Sequence, residues 1–181
     1  MIDKGIKMNK KYITLLVAPL FLSACAGNVS HRWCPPVEAV VKPAAIEYET
    51  ETIQLSADAL FKFNKAGIDD LLPKGKLELN TLISKLNNHY INVKQINITG
   101  HTDRLGSEQY NLKLGMERAE TIRNYLLKNG IQTNYNVSSK GKSQPVTNNC
   151  TDIKGQEALR ECLQPDRRVS LDIIGLKKVQ N

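Results

Sequence analysis

Val93-Lys94-Gln95-Ile96-Asn97-Ile98-Thr99-Gly100 runs into His101-Thr102-Asp103-Arg104-Leu105-Gly106-Ser107, and that loop into a long segment ending at Asn129-Gly130. The first stretch alternates: Val93 comes first, then Ile96 and Ile98, with Gln95 and Asn97 between them, the two-residue period of a strand that Gly100 closes. In the last stretch Ser107 is an N-cap and Gly130 a stop signal, and Leu112, Ala119, Ile122 and Leu126 form an inward stripe. A strand delivered through a loop into a helix is half of a βαβ crossover, so helices pack against a sheet.

Upstream, Ile53-Gln54-Leu55 and Ala59-Leu60-Phe61-Lys62-Phe63 alternate like strand segments. Pro73 then opens a helix in which Leu79, Leu82, Ile83 and Leu86 recur at i, i+3, i+4, i+7. Downstream, Tyr135 to Ser139 makes a strand, a short helix covers Gln156 to Leu163, and Val169 to Ile174 makes the last strand. The expected class is α/β and sandwich-like, with about four strands, in a globular part at residues 52–177 followed by a short tail at 178–181.

The 181 residues are 41% hydrophobic and 24% charged, a soluble globular mixture sized for one domain with extensions. Aromatic residues, at 6%, are too sparse for a base-stacking platform. Lys4, Lys7, Lys10 and Lys11 precede an apolar run, Ile13 to Ala24, that Pro19 interrupts. The run falls short of the roughly 18 residues of a membrane span, so residues 1–24 read as an export signal, with Met1 and Met8 both open as the start. Its removal takes away four lysines and Asp3, lowering the formal charge from +7 to +4. The basic excess is therefore a targeting feature, and no nucleic-acid partner is expected.

Leu22-Ser23-Ala24-Cys25 resembles a bacterial lipoprotein signal, in which the cysteine is acylated, palmitate included, and becomes the mature N-terminus. Simple cleavage after Ala24, leaving Cys25 a free thiol, is the alternative. By the same resemblance Ala26 implies the outer membrane, with the rest of the chain facing the periplasm. Residues 25–51 then form a lipidated N-terminus and flexible tether containing Pro35, Pro36 and Pro43. About 25 such residues span roughly 28 Å as a coil and roughly 80 Å extended. Cys34, beside Trp33, is either idle or available for an intermolecular disulfide, with a second copy in a homodimer or with an envelope-complex partner.

Catalytic motifs are missing: there is no G-x-S-x-G, H-E-x-x-H or Cys-x-x-Cys, and Gly141-Lys142-Ser143 fails as a P-loop because Asn136 stands where its first glycine belongs. His31, His89 and His101 are scattered. No cofactor, metal or enzymatic activity is expected. Asp103 instead lies just past a strand's C-terminal end, where open α/β sheets place ligands. Asn111 and Arg118 share a face of the next helix, with Arg118 left near the rim. Such a carboxylate and guanidinium can take the ammonium and the carboxylate of an amino-acid group. An internal ion pair, Asp103–Arg118 or Asp103–Arg104, fits too, and spacing alone favours it.

Thr102-Asp103-Arg104-Leu105-Gly106, Tyr110-Asn111 and Arg118-Ala119 fit the pattern T-D-x-x-G, Y-N, R-A. With Leu60-Phe61-Lys62-Phe63-Asn64-Lys65, Ser143-Gln144-Pro145-Val146 and Pro165-Asp166-Arg167-Arg168-Val169, the chain over residues 55–175 resembles the peptidoglycan-binding domain family of outer-membrane protein A (OmpA) and peptidoglycan-associated lipoprotein. The resemblance implies a βαβαββ sandwich with a roughly four-stranded mixed sheet. It also implies non-covalent binding of the peptidoglycan stem peptide through meso-diaminopimelate, Asp103 taking the ammonium and Arg118 the carboxylate. Phe63, Asn64, Thr102, Asn111 and Leu114 would shape the pocket, and Arg167 and Arg168 support it. Asn64 stands where many members have aspartate. A loop disulfide, Cys150 to Cys162, is implied as well. The function so implied is an outer-membrane lipoprotein tethering that membrane to the wall. The alternative is a wall-anchoring accessory subunit of a secretion, conjugation or motility machine.

Overall fold

A computed structural model describes residues 47–178. The export signal, Cys25, Cys34 and nearly all of the expected tether lie outside the described residues. The chain enters at strand β1 (Glu49–Ser56), which begins three residues inside the stretch assigned to the tether. There follow a single helical turn, α1 (Ala57–Leu60), a long helix, α2 (Pro73–His89), and β2 (Tyr90–His101). Helix α3 (Glu108–Lys128) leads to β3 (Asn134–Gly141), and the short α4 (Gln156–Cys162) to β4 (Arg168–Lys177). The sheet order is β1-β4-β2-β3, with β2 and β3 parallel and both neighbours of β4 antiparallel to it. This is a mixed four-stranded α/β sandwich, as expected.

Alternation along β4 separates the layers. Val169, Leu171 and Ile173 are fully buried, while Ser170, Asp172 and Ile174 between them are half-buried. The buried set meets Leu79, Leu82 and Leu86 of α2 and Ala119, Ile122 and Leu126 of α3, the residues whose spacing marked those helices. Ser107 caps α3 by accepting from the Tyr110 backbone N–H, and Gly130, at φ +89°, supplies the left-handed turn that ends it.

Two expectations need correction. Ala59 to Phe63 is not a strand: Ala57 and Leu60, three apart on one helical turn, are both buried, and Phe63 is 70% exposed. The two-residue period was coincidental: Leu60 ends the turn, and its neighbour Phe61 is buried in an isolated bridge to Leu71. Leu112 is not on the inward stripe. It is 39% exposed, and the buried face of α3 near its start is instead Asn111, Leu114, Gly115 and Arg118. Polar residues occupy a buried face there because that end of the helix borders a cavity.

At the far end of the sheet, β1 starts beside Gly175, and Glu51 is clamped by Lys85 of α2, the Tyr90 hydroxyl and Lys177. The Lys85 hydrogen bond is the main reason the Glu51 carboxyl is pulled down to about 2. The near end, where β1 stops beside Arg168, holds the cavity.

Candidate functional site

Two glycines set the distance between β2 and α3. A Cβ on Gly100 would fall 1.9 Å from the Gly115 carbonyl oxygen, so only hydrogen at this position lets the helix lie against the strand's end. That contact fixes the first turns of α3, and with them Asn111, Leu114 and Arg118. Between strand and helix, Asp103 Oδ1 accepts the Leu105 N–H at 2.9 Å, and Asn111 Nδ2 donates to the Leu105 carbonyl at 2.9 Å. Gly106, at φ +91°, completes the turn. The loop is thus tied at both ends before any ligand arrives.

A cavity of about 210 Å³ opens at this loop. All eight residues expected at the binding site line it: Phe63, Asn64, Thr102, Asp103, Asn111, Leu114, Arg118 and Arg167. Arg168 does not. Asn64 adopts a left-handed backbone (φ +60°), a conformation asparagine tolerates better than most residues. Arg168 is buried on the sheet and donates to the Asp166 and Gln144 carbonyls.

Arg118 is not at the rim; it is 3% exposed. Its Nε donates to the Lys65 carbonyl at 3.0 Å and its guanidinium lies 5.7 Å from the centre of the Phe61 ring. Among the described residues Nη1 has no hydrogen-bond partner. Burial pushes the guanidinium down from its ordinary value, against the opposing pull of Asp58, Tyr110 and Asp103, but arginine stays charged. A buried cation with an idle N–H costs about 1–3 kcal/mol. An acceptor entering the cavity removes that cost.

Neither internal ion pair that spacing favoured is formed. Asp103 pairs with Arg167, whose Nη1 donates to Oδ2 at 2.8 Å, while Arg104 turns away to the Cys150 carbonyl. Arg167 also grips Asp58 through Nε and Nη2 and donates to the Arg160 carbonyl. The Arg160 guanidinium lies 5.4 Å from the centre of the exposed Phe63 ring. The Cys150–Cys162 disulfide closes the segment that carries α4 and Arg160. His101 lies outside the cavity lining, and no cluster of three metal-ligating side chains occurs among the described residues.

Asp58 and Arg160 escaped the sequence reading. Asp58 had a signal: Ser56-Ala57-Asp58 places an acid in the first turn after a hydroxyl N-cap position, a helix start hidden by the strand assignment. Arg160 had none, since only the fold carries α4 to the cavity. Chemically, the lining is bipolar. A carboxylate with a spare lone pair on each oxygen sits in the same cavity as a buried guanidinium with a spare donor. No side chain there is paired as nucleophile and base.

The family model described as the OmpA family matches residues 60–158. The chain is 42% identical over 146 residues to outer membrane protein A of Klebsiella aerogenes, a match covering 80% of this chain and 41% of that protein. It is 41% identical over 156 residues to outer membrane protein A of Shigella flexneri, covering 84% and 44%. It thus spans less than half the length of these curated relatives. Among solved structures, the periplasmic domain of Helicobacter pylori MotB aligns with TM-score 0.53 at 19% identity, over 70% of this chain and 77% of that one. The cell wall anchor of the T6SS from Pseudomonas aeruginosa aligns with TM-score 0.52 at 20% identity, over 71% and 88%. At such identities the likeness is one of fold.

Proposed function

Because this chain belongs to the OmpA family, we propose that it binds peptidoglycan non-covalently and anchors the outer membrane to the wall. The ligand is the free amino-acid end of meso-diaminopimelate in the stem peptide. Asp103 receives the ammonium, and Arg118 receives the carboxylate through its idle Nη1. Phe63, Asn64, Thr102, Asn111 and Leu114 form the walls, and Arg167 holds Asp103 in place. The observation that carries this reading is the buried, incompletely paired Arg118 in one cavity with Asp103. The protein acts by binding and breaks no bond.

The membrane end is lipid. Cys25 carries the acyl chains, and the stretch before β1 spans the gap to a domain in the periplasm. Relatives named outer membrane protein A support the location. Ala26 and the signal-like run before Cys25 support the anchor.

The test is affinity for a soluble stem tripeptide and co-sedimentation with purified sacculi. Each charge-assisted contact contributes about 1.5–3 kcal/mol, so Asp103→Asn and Arg118→Met each weaken binding about tenfold or more. The soluble peptide matters because many sites on a sacculus mask single losses. Arg118→Met relieves a buried charge but gives up the Lys65 carbonyl hydrogen bond and the contact with Phe61, so its melting temperature should stay near the parent's. Unchanged affinity in both folded variants would remove this cavity from consideration.

A further inference from the structure

Arg167 is shared between two carboxylates. Its Nε lies 3.0 Å from each Asp58 oxygen and its Nη2 2.6 Å from Oδ2, leaving Nη1 to reach Asp103 at 2.8 Å. One positive charge against two negative gives these three side chains together a net charge of −1. The other cations on the lining are Arg118, buried inside, and Arg160, against the exposed Phe63 ring; among the described residues neither makes an ion pair with an acid. We propose that Asp58 is a positioning residue for ligand selection: by occupying the fork of Arg167 it leaves the Asp103 carboxylate free to take a cation, and so selects ligands that carry an ammonium beside a carboxylate. This rests on the reading of the cavity as the diaminopimelate site.

The two acids compete for one guanidinium. A guanidinium offers two parallel N–H groups to a single carboxylate, and that pairing is its preferred one. With Asp58 present, the fork faces Asp58, and Asp103 receives one lateral bond. Without it, Asp103 is the remaining acid within ion-pair distance of Arg167 among the described residues. The two would close into a neutral pair. An incoming ammonium would then meet a carboxylate already matched, and the zwitterion would lose its advantage over a plain carboxylate. Asp58 is the more exposed acid, at 37% of its side chain against 12% for Asp103, which suits a counter-ion at the rim and a receptor inside. Hydrogen bonding to Asp58 pushes Arg167 further above its ordinary value, so the bridge stays charged throughout the physiological range.

The experiment compares two soluble probes by calorimetry. One is the stem tripeptide ending in meso-diaminopimelate; the other is the same peptide with the side-chain amine acetylated. The parent protein should prefer the free amine by about tenfold or more. In Asp58→Asn that preference should fall toward unity, while affinity for the acetylated peptide stays within about twofold. Asp58→Glu should restore it in part. Asp58→Ser, which removes the same charge in a smaller side chain, should lower the preference as Asp58→Asn does and serves if that variant does not fold. An Asp58→Asn or Asp58→Ser protein that keeps the parental ratio, or loses both peptides equally, overturns the inference. A parent protein that itself ignores acetylation overturns the diaminopimelate reading, and this inference with it.

Discussion

His101 closes β2 and is 4% exposed, Nε2 lying 3.2 Å from the Ser170 hydroxyl and Nδ1 without a partner among the described residues. Burial, helped by the charges of Arg168 and Lys140, lowers its pKa from 6.5 to about 4. The unfolded chain takes up this proton near 6.5 and the folded one only near 4. The histidine's contribution is therefore complete above 6.5, declines as pH falls, and is gone below 4, an effect on the order of 3 kcal/mol. The melting temperature should fall across that window, and His101→Gln should flatten the fall. Glu51, with its carboxyl pulled from 4.5 to about 2, adds an acid-side loss only below 4.5, so the two steps separate. Superimposable profiles for parent and variant would rule the histidine out.

At the scale of elements, the closest tolerance is the backbone contact of β2 with α3 at Gly100 and Gly115. Gly100→Ala must part the two and should cost about 1–3 kcal/mol. Because the same helix carries Asn111, Leu114 and Arg118, stem-peptide affinity should drop as well; a variant with parental melting and affinity would refute the coupling. The Cys150–Cys162 bridge closes a short loop, and replacing both cysteines by serine should lower stability by about 3 kcal/mol, readable as a lower melting temperature that reductant no longer shifts.

What the sequence disclosed follows the same divide. Helices α2 and α3 were legible because Leu79, Leu82 and Leu86, and Ala119, Ile122 and Leu126, repeat at the helical period. The cavity lining was legible through the family likeness, and so was the disulfide. The burial of Arg118 was not, because a polar helix face beside a cavity reads as solvent-facing in any hydrophobic pattern. Nor was the Arg167–Asp58 pair, whose partners stand 109 positions apart and meet only once β1 and β4 are zipped.

For the whole molecule, the proposed lipid anchor is tested apart from the proposed wall-binding cavity. Cys25→Ala should move the protein from the membrane fraction to the soluble periplasmic fraction while leaving affinity for the stem tripeptide unchanged. Persistence in the membrane would defeat the lipid anchor without touching the cavity.

Strand β1 begins at Glu49 and stops beside Arg168, at the opposite end of the sheet, where the cavity opens. Under the proposed anchoring, tension that enters at Glu49 and is resisted at the cavity would act along the axis of β1. Its rungs to β4, from Glu49–Gly175 to Ser56–Arg168, would then be loaded together in shear, with no end from which to unzip one after another. So strung, the domain would bear load across every rung of that ladder at once.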